Sequence, residues 1–192
     1  MSSSFSQLQQ IPQGSVHSAC LHAAAEGLQS AIRLLGLDDE GTVVSAPAVF
    51  AEDADMVCIA FDTTGGAEGT LVLLMTEKEA LDVAHLLLNR FSGPKVSTLN
   101  SLAQNALSEI GNILASSFLN HLSGLVHTSC LPSVPALLLG SSREVWDRSF
   151  AKMGTAHWTS FSLGIGSTTL WLLFRPSEKT SLSLSASVVS AP

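Results

Sequence analysis

Residues 97–125 read STLNSLAQNALSEIGNILASSFLNHLSGL, and the period of the apolar positions in this stretch decides how the chain folds. At about 100° per residue, Leu99, Ala103, Ala106, Leu107, Ile110, Ile113, Leu114 and Phe118 fall on one broad face. Asn105, Glu109, Asn112 and Ser116 lie on the opposite side, at spacings of 4, 3 and 4. Helical residues three and four apart are neighbours, so these side chains form one polar stripe. Such a helix packs its apolar side on a core and turns a carboxylate and a carboxamide towards water or a partner.

Upstream, residues 15–35 (SVHSACLHAAAEGLQSAIRLL) read as a second helix, capped by Ser15 or Ser18 and stopped by Gly36. Residues 42–50 are strand-like, with Pro47 demanding an edge or a bulge. Residues 55–62 form another strand, Thr63–Gly66 a turn, and 69–75 (GTLVLLM) a strand apolar enough to be central. Thr76 caps a helix over 77–90, with Glu77 and Glu79 in its first turn.

After a connector around Pro94 the same order of elements returns. The long helix corresponds to 15–35, and the extended HTSCLPSVPALLL to TVVSAPAVF. A short helix over 141–152 and strands over 158–165 and 168–174 follow. TLVLLMTEKE at 70–79 is echoed by TLWLLFRPSEK at 169–179, an offset of 99 residues, which indicates duplication. The expected fold is α+β: a pseudo-twofold, duplicated α-β-β-β unit whose antiparallel sheet carries long helices on one face. The domain spans 15–175, with halves at about 15–93 and 97–175. Residues 1–14 are expected to be a flexible N-terminus, and the Ser-rich 176–192 a disordered tail.

Composition narrows the chemistry. With 46% hydrophobic and 13% charged residues over 192 positions, the chain can bury a sizeable core. Its nine Lys and Arg are scattered and the net charge is −7, which argues against nucleic acid as a partner. No signal peptide and no 18-residue apolar run is present, so no membrane insertion and a cytoplasmic setting are expected. Cys20, Cys58 and Cys130 form no Cys-x-x-Cys pair and read as core residues of a reducing compartment. Phosphate loop, His-Glu-x-x-His site and Gly-x-Ser-x-Gly elbow are all missing. An enzyme here works without a metal, covalent nucleophile or cofactor of its own.

Glu109 and Asn112 make a Glu-x-x-Asn pair, followed after 22 residues (113–134) by Pro135. This resembles the signature of the CheC/CheX/FliY family of chemotaxis phosphatases: Asp or Ser, three residues, Glu, two residues, Asn, 22 residues, Pro. The text SEIGNILASSFLNHLSGL and LPSVPALLL is similar to CheC. The resemblance implies a phosphatase that speeds dephosphorylation of an aspartyl-phosphorylated, CheY-like response regulator, which brings its own Mg²⁺ and lysine. It implies that Asn112 orients the attacking water and that Glu109 docks on that lysine, with Asn105, Ser108 and Ser116 beside them in the partner-binding face. A CheD-like receptor deamidase is a further partner it implies, and a non-catalytic adaptor for regulator or deamidase is the alternative function. Gly111 serves either the close approach of a partner or close helix–helix packing, and Pro135 ends or bulges an edge strand. Asn105 departs from the Asp or Ser of the signature. Matching Gly36 to Gly124 places the first-half equivalents of the leading residue, Glu and Asn at His17, Leu21 and Ala24, and the lookalike pair Glu26 and Gln29 lacks a following proline, so a single active surface is expected.

Overall fold

The structure, a computed structural model, describes residues 14–37, 41–48, 50–51, 53–90, 93, 95–150, 158–165 and 167–189. The elements are α1 (Ser15–Leu35), β1 (Thr42–Ser45), β2 (Asp55–Gly65), β3 (Gly69–Thr76), α2 (Glu77–Arg90), α3 (Ser101–Val126), β4 (Cys130–Pro132), β5 (Ala136–Ser141), α4 (Ser142–Ser149), β6 (Thr159–Ile165), β7 (Thr168–Pro176) and α5 (Glu178–Val189). The strands form one seven-stranded sheet in the order β1-β6-β7-β3-β2-β4, with β5 also beside β2. Every pairing is antiparallel.

The two halves meet at β3 and β7, where Leu73 lies opposite Leu172. These leucines are 99 residues apart, the offset of the sequence echo, so each faces its own counterpart, as a two-fold axis requires. The halves then interlock: β1 of the first pairs with β6 of the second, while β4 and β5 of the second pair with β2 of the first. Alternation along the strands builds two cores. Ile59, Phe61, Leu71, Leu73, Leu172 and Phe174 belong to the larger, with α1, α2, α3 and α5. Met56, Cys58, Val72, Leu74 and Leu173 face the other side, under Val145, Trp146, Phe150 and Trp158. The long helices therefore share one face, as expected, and the short α4 covers part of the other.

α1 crosses α3 at backbone contact. A Cβ on Gly27 would lie 2.9 Å from both Cα and N of Phe118. One turn on, Ser30 Oγ and His121 Nε2 are 3.1 Å apart.

The expectation of a disordered tail is overturned by α5. The echo runs past the strands: Glu178-Lys179 opens α5 after β7 just as Glu77-Lys78 opens α2 after β3. α2 is capped reciprocally, the Glu79 N–H donating to Thr76 Oγ1 (3.3 Å) and the Thr76 N–H to Glu79 Oε2 (2.7 Å). In α5 the Thr180 N–H donates to Ser177 Oγ (3.2 Å), and Thr180 Oγ1 donates to the Glu68 carbonyl (2.9 Å). Ser181, Ser183 and Ser185 turn their hydroxyls onto carbonyls four residues back, which lets a Ser-rich segment remain helical. Leu184 is fully buried. α5 packs on α1 as α2 packs on α3, so the repeated unit is α-β-β-β-α.

Smaller departures have local causes. The residue preceding α1 is Gly14, with no side-chain cap, and the helix ends at Gly36 in the left-handed region (φ 63°). β1 stops at Ser45, before Pro47. β2 continues through Thr63–Gly65, where β4 pairs with it, rather than turning there. α3 starts at Ser101, because the Asn100 side chain accepts from the Ala103 N–H (3.0 Å). Apart from Gly14, the N-terminal segment expected to be flexible lies outside the described residues. Among the described residues no helix is long and apolar enough to cross a membrane.

The crossing at Gly27 yields a prediction. In an unencumbered helix Gly→Ala is stabilising by about 1 kcal/mol. Here the new methyl meets backbone, so Gly27→Ala is expected to destabilise by about 1–3 kcal/mol, read as a lower urea midpoint. A raised midpoint refutes the crossing.

Candidate functional site

α3 holds its stripe outward. Asn105 and Glu109 are exposed, and Ser108, Asn112 and Ser116 are half-buried. No described residue hydrogen-bonds or ion-pairs with any of these five side chains. α3 contains no lysine or arginine, so Glu109 has no cation on its own helix. The carboxamide of Asn112, one turn beyond Glu109, is free to donate and to accept.

The opposite side of α3 is fixed by Gly111. A Cβ there would lie 3.2 Å from Cδ1 and Cγ2 of Ile59 and 3.4 Å from Cζ of Phe61. Gly111 therefore seats the helix on β2. Neither reading of this glycine from sequence is correct, since helix–helix closeness belongs to Gly27 and Gly111 faces away from solvent.

The spacing to Pro135 closes at the same place. Thr63 is opposite Pro132, and Ala60 is opposite Ala136. Three steps along β2 thus match four along its partner, which is a one-residue bulge. Val134 and Pro135 stand in that bulge opposite Phe61, the residue under Gly111. β4 and β5 are the two parts of one edge strand, and Pro135, which has no N–H to pair, occupies its break. The sheet thereby brings Glu109, Asn112 and Pro135 to one edge. Phe61 belongs to the helix-side core, so Val134 and Pro135 lie on the helix side, beside α3.

Two apolar residues complete this edge and were not singled out from the sequence. Leu102, 39% exposed, precedes Asn105 by three positions and Glu109 by seven, so it extends the stripe. Val134 is the other. The helical spacing of Leu102 was visible in the sequence; the exposure of Val134 follows from the bulge.

The first half does not reproduce this arrangement, and the match between halves needs correction. The left-handed residue that ends α3 is His127 (φ 51°), not Gly124. Gly36 and His127, Gly27 and Phe118, and Ser30 and His121 are each 91 residues apart. With that offset the counterparts of Asn105, Glu109 and Asn112 are Gly14, Ser18 and Leu21, instead of His17, Leu21 and Ala24. Leu21 cannot orient water any more than Ala24, which is 2% exposed. Gln29 of the lookalike pair donates to the Gly41 carbonyl (2.9 Å).

No group of three or more His, Cys, Asp or Glu among the described residues is placed to hold a metal. The three cysteines are free and buried. Burial pushes the Cys20 thiol up to about 12 and that of Cys58 to about 11, so both are poor nucleophiles. A cavity of about 580 Å³ is lined by Gly69, Thr70, Arg175 and Ser177, among others, and by no residue of the stripe.

Residues 102–139 match the model of the CheC-like family. No curated protein gives a significant match to the sequence. Among solved structures, FliY from Thermotoga maritima aligns with a TM-score of 0.66 and 16% identity, over 94% of this chain and 98% of FliY. A chain of the CheX–CheY–BeF3–Mg²⁺ complex from Borrelia burgdorferi aligns at 0.54 and 16%, over 82% and 97%. A chain of the FliM–SpeE complex from H. pylori aligns at 0.60 and 14%, over 97% and 98%.

The α1 side offers a test through His17. Its Nε2 is 2.8 Å from Ser45 Oγ, its ring lies 5.3 Å from that of Phe161, and its Nδ1 is buried without a partner. Burial lowers its pKa from 6.5. The folded chain then binds fewer protons at this site than the unfolded chain, so stability rises with pH and is lost as pH falls below about 6.5. His17→Gln is expected to shrink the difference in urea midpoint between pH 7.5 and pH 5.5. An unchanged difference refutes the assignment.

Proposed function

On the premise that this chain has the fold of the CheC/CheX/FliY proteins and a CheC-like central segment, we propose that it is a phosphatase of aspartyl-phosphorylated, CheY-like response regulators. The observation that carries this reading is the pair Glu109 and Asn112, without hydrogen-bond or ion-pair partners among the described residues, on the outward side of the helix that Gly111 seats on β2, the strand across from which the bulge at Pro135 stands. Similarity to a chain from a CheX–CheY complex containing BeF3, a phosphoryl analogue, supports a receiver domain as partner.

Asn112 enters the receiver's phosphorylation site. Its Oδ1 accepts from the attacking water, and its NH₂ donates to a neighbouring oxygen, with no added negative charge beside the phosphoryl group. The water oxygen bonds to phosphorus in line with the departing aspartyl oxygen. The P–O bond breaks, and phosphate and the free carboxylate are released. The receiver supplies the Mg²⁺ and the lysine that neutralise charge, so this chain contributes position. Glu109 pairs with that lysine and sets the depth of entry. Asn105, Ser108 and Ser116 contact the receiver around them. Three buried, free cysteines fit a reducing, cytoplasmic setting.

A second reading, a non-catalytic module that binds a receiver or a CheD-like deamidase, is favoured by Asn105 at the position of the signature's Asp or Ser. The fold shared with a chain of the FliM–SpeE complex favours it as well. Phosphate release separates the two readings, because a module binds the phosphorylated receiver without speeding its dephosphorylation.

Asn112→Ala is expected to reduce stimulated phosphate release by about 100-fold or more while receiver affinity and fold persist. Undiminished release removes Asn112 from the mechanism. Glu109→Ala is expected to weaken receiver binding by about tenfold, measured by titration calorimetry, and an unchanged Kd removes its docking role.

A further inference from the structure

Val134 is 88% exposed, more than any other large apolar residue among the described residues. A lone surface valine needs no explanation, but this one is held in place. The Ser133 N–H donates to the Asp62 carbonyl (2.8 Å), and Ser133 Oγ accepts from the Asp62 N–H (3.0 Å). The same hydroxyl reaches the Val134 carbonyl at 3.0 Å. Pro135, with its fixed φ, follows at once. A bulge re-aims the side chains it carries, and a preorganised apolar group loses little freedom when covered.

We propose that Val134 is the apolar anchor on which the partner's surface seats when Asn112 enters its cleft, and that the bulge at Pro135 serves to aim this side chain. The proposal rests on the reading of α3 as a receiver-docking face. The occupant is a folded receiver domain presenting a cation flanked by apolar side chains. Glu109 has no cation among the described residues to meet, and Val134 with Leu102 offers the matching apolar contacts. A second copy of the chain brings the same Glu109 and the same net charge of −7, so charge opposes self-pairing through this face.

The test titrates CheY-type receivers loaded with Mg²⁺ and BeF3⁻ against the full chain, its Val134→Ser variant and its Val44→Ser variant. Val44 is 58% exposed on β1, at the opposite edge of the sheet. Val134→Ser is expected to raise Kd by about tenfold, with an unchanged melting midpoint and near-normal phosphate release at saturating receiver. Val44→Ser is expected to leave Kd unchanged. If wild type binds, Asn112→Ala stops turnover and Val134→Ser still binds within about twofold of wild type, the docking face stands and the anchor is refuted. If wild type binds no receiver, the reading of the docking face fails and takes the anchor with it. If Val134→Ser turns a wild-type dimer into monomers without changing receiver affinity, the occupant is a second copy and the proposal is overturned.

Discussion

The pairing of β3 with β7 is the interaction from which the rest of the molecule follows. Both strands are apolar on both faces, and both are sealed in the middle of the sheet. Central strands buried on two sides need a helix layer above and cover beneath. Leu73 opposite Leu172 sets the pseudo-dyad, and the dyad makes each half send its outer strand across to the other. Three pairings join the halves, β1–β6, β3–β7 and β2 with β4–β5, so separation leaves three unpaired strand edges on each.

That interlock also determines where a partner-binding edge can lie. One outer edge is β1; the other is the broken strand β4–β5. α3 is seated over the second by Gly111 on Ile59 and Phe61. The same Phe61 lies across from the bulge that holds Val134 and Pro135. A single residue of β2 therefore registers the helix and the edge strand against each other. Counterpart positions in the first half hold Gly14, just before α1, and Ser18 and Leu21 on it, so the duplicated scaffold carries its polar pair on one side only.

Much of this was legible in the sequence because it is periodic. The helices at 15–35 and 77–90 and the strands near 55–65, 69–76, 159–165 and 168–176 are written in apolar spacing and in caps such as Thr76 and Gly36. The outward stripe on α3 follows from the same period. Composition misled at α5, where serine content suggested disorder although the echo of Glu77-Lys78 in Glu178-Lys179 already implied a counterpart of α2. Glycine misled at the end of α3, since Gly124 stands in open space and the left-handed position is taken by His127. A helix end depends on where packing stops, and that shifted the match of the halves by three residues.

By itself, the sequence determined the element order, the duplication, the amphipathic α3 with its Glu109 and Asn112, and the 22-residue interval to Pro135. These are local or periodic properties, carried by a few neighbouring side chains. Only the tertiary structure decided that Gly27 makes the helix crossing, that Gly111 rests on Phe61, and that Pro135 stands in a bulge opposite that same residue. Each is a contact between segments far apart in the chain, and its register is set by how strands pair across the dyad rather than by any local preference.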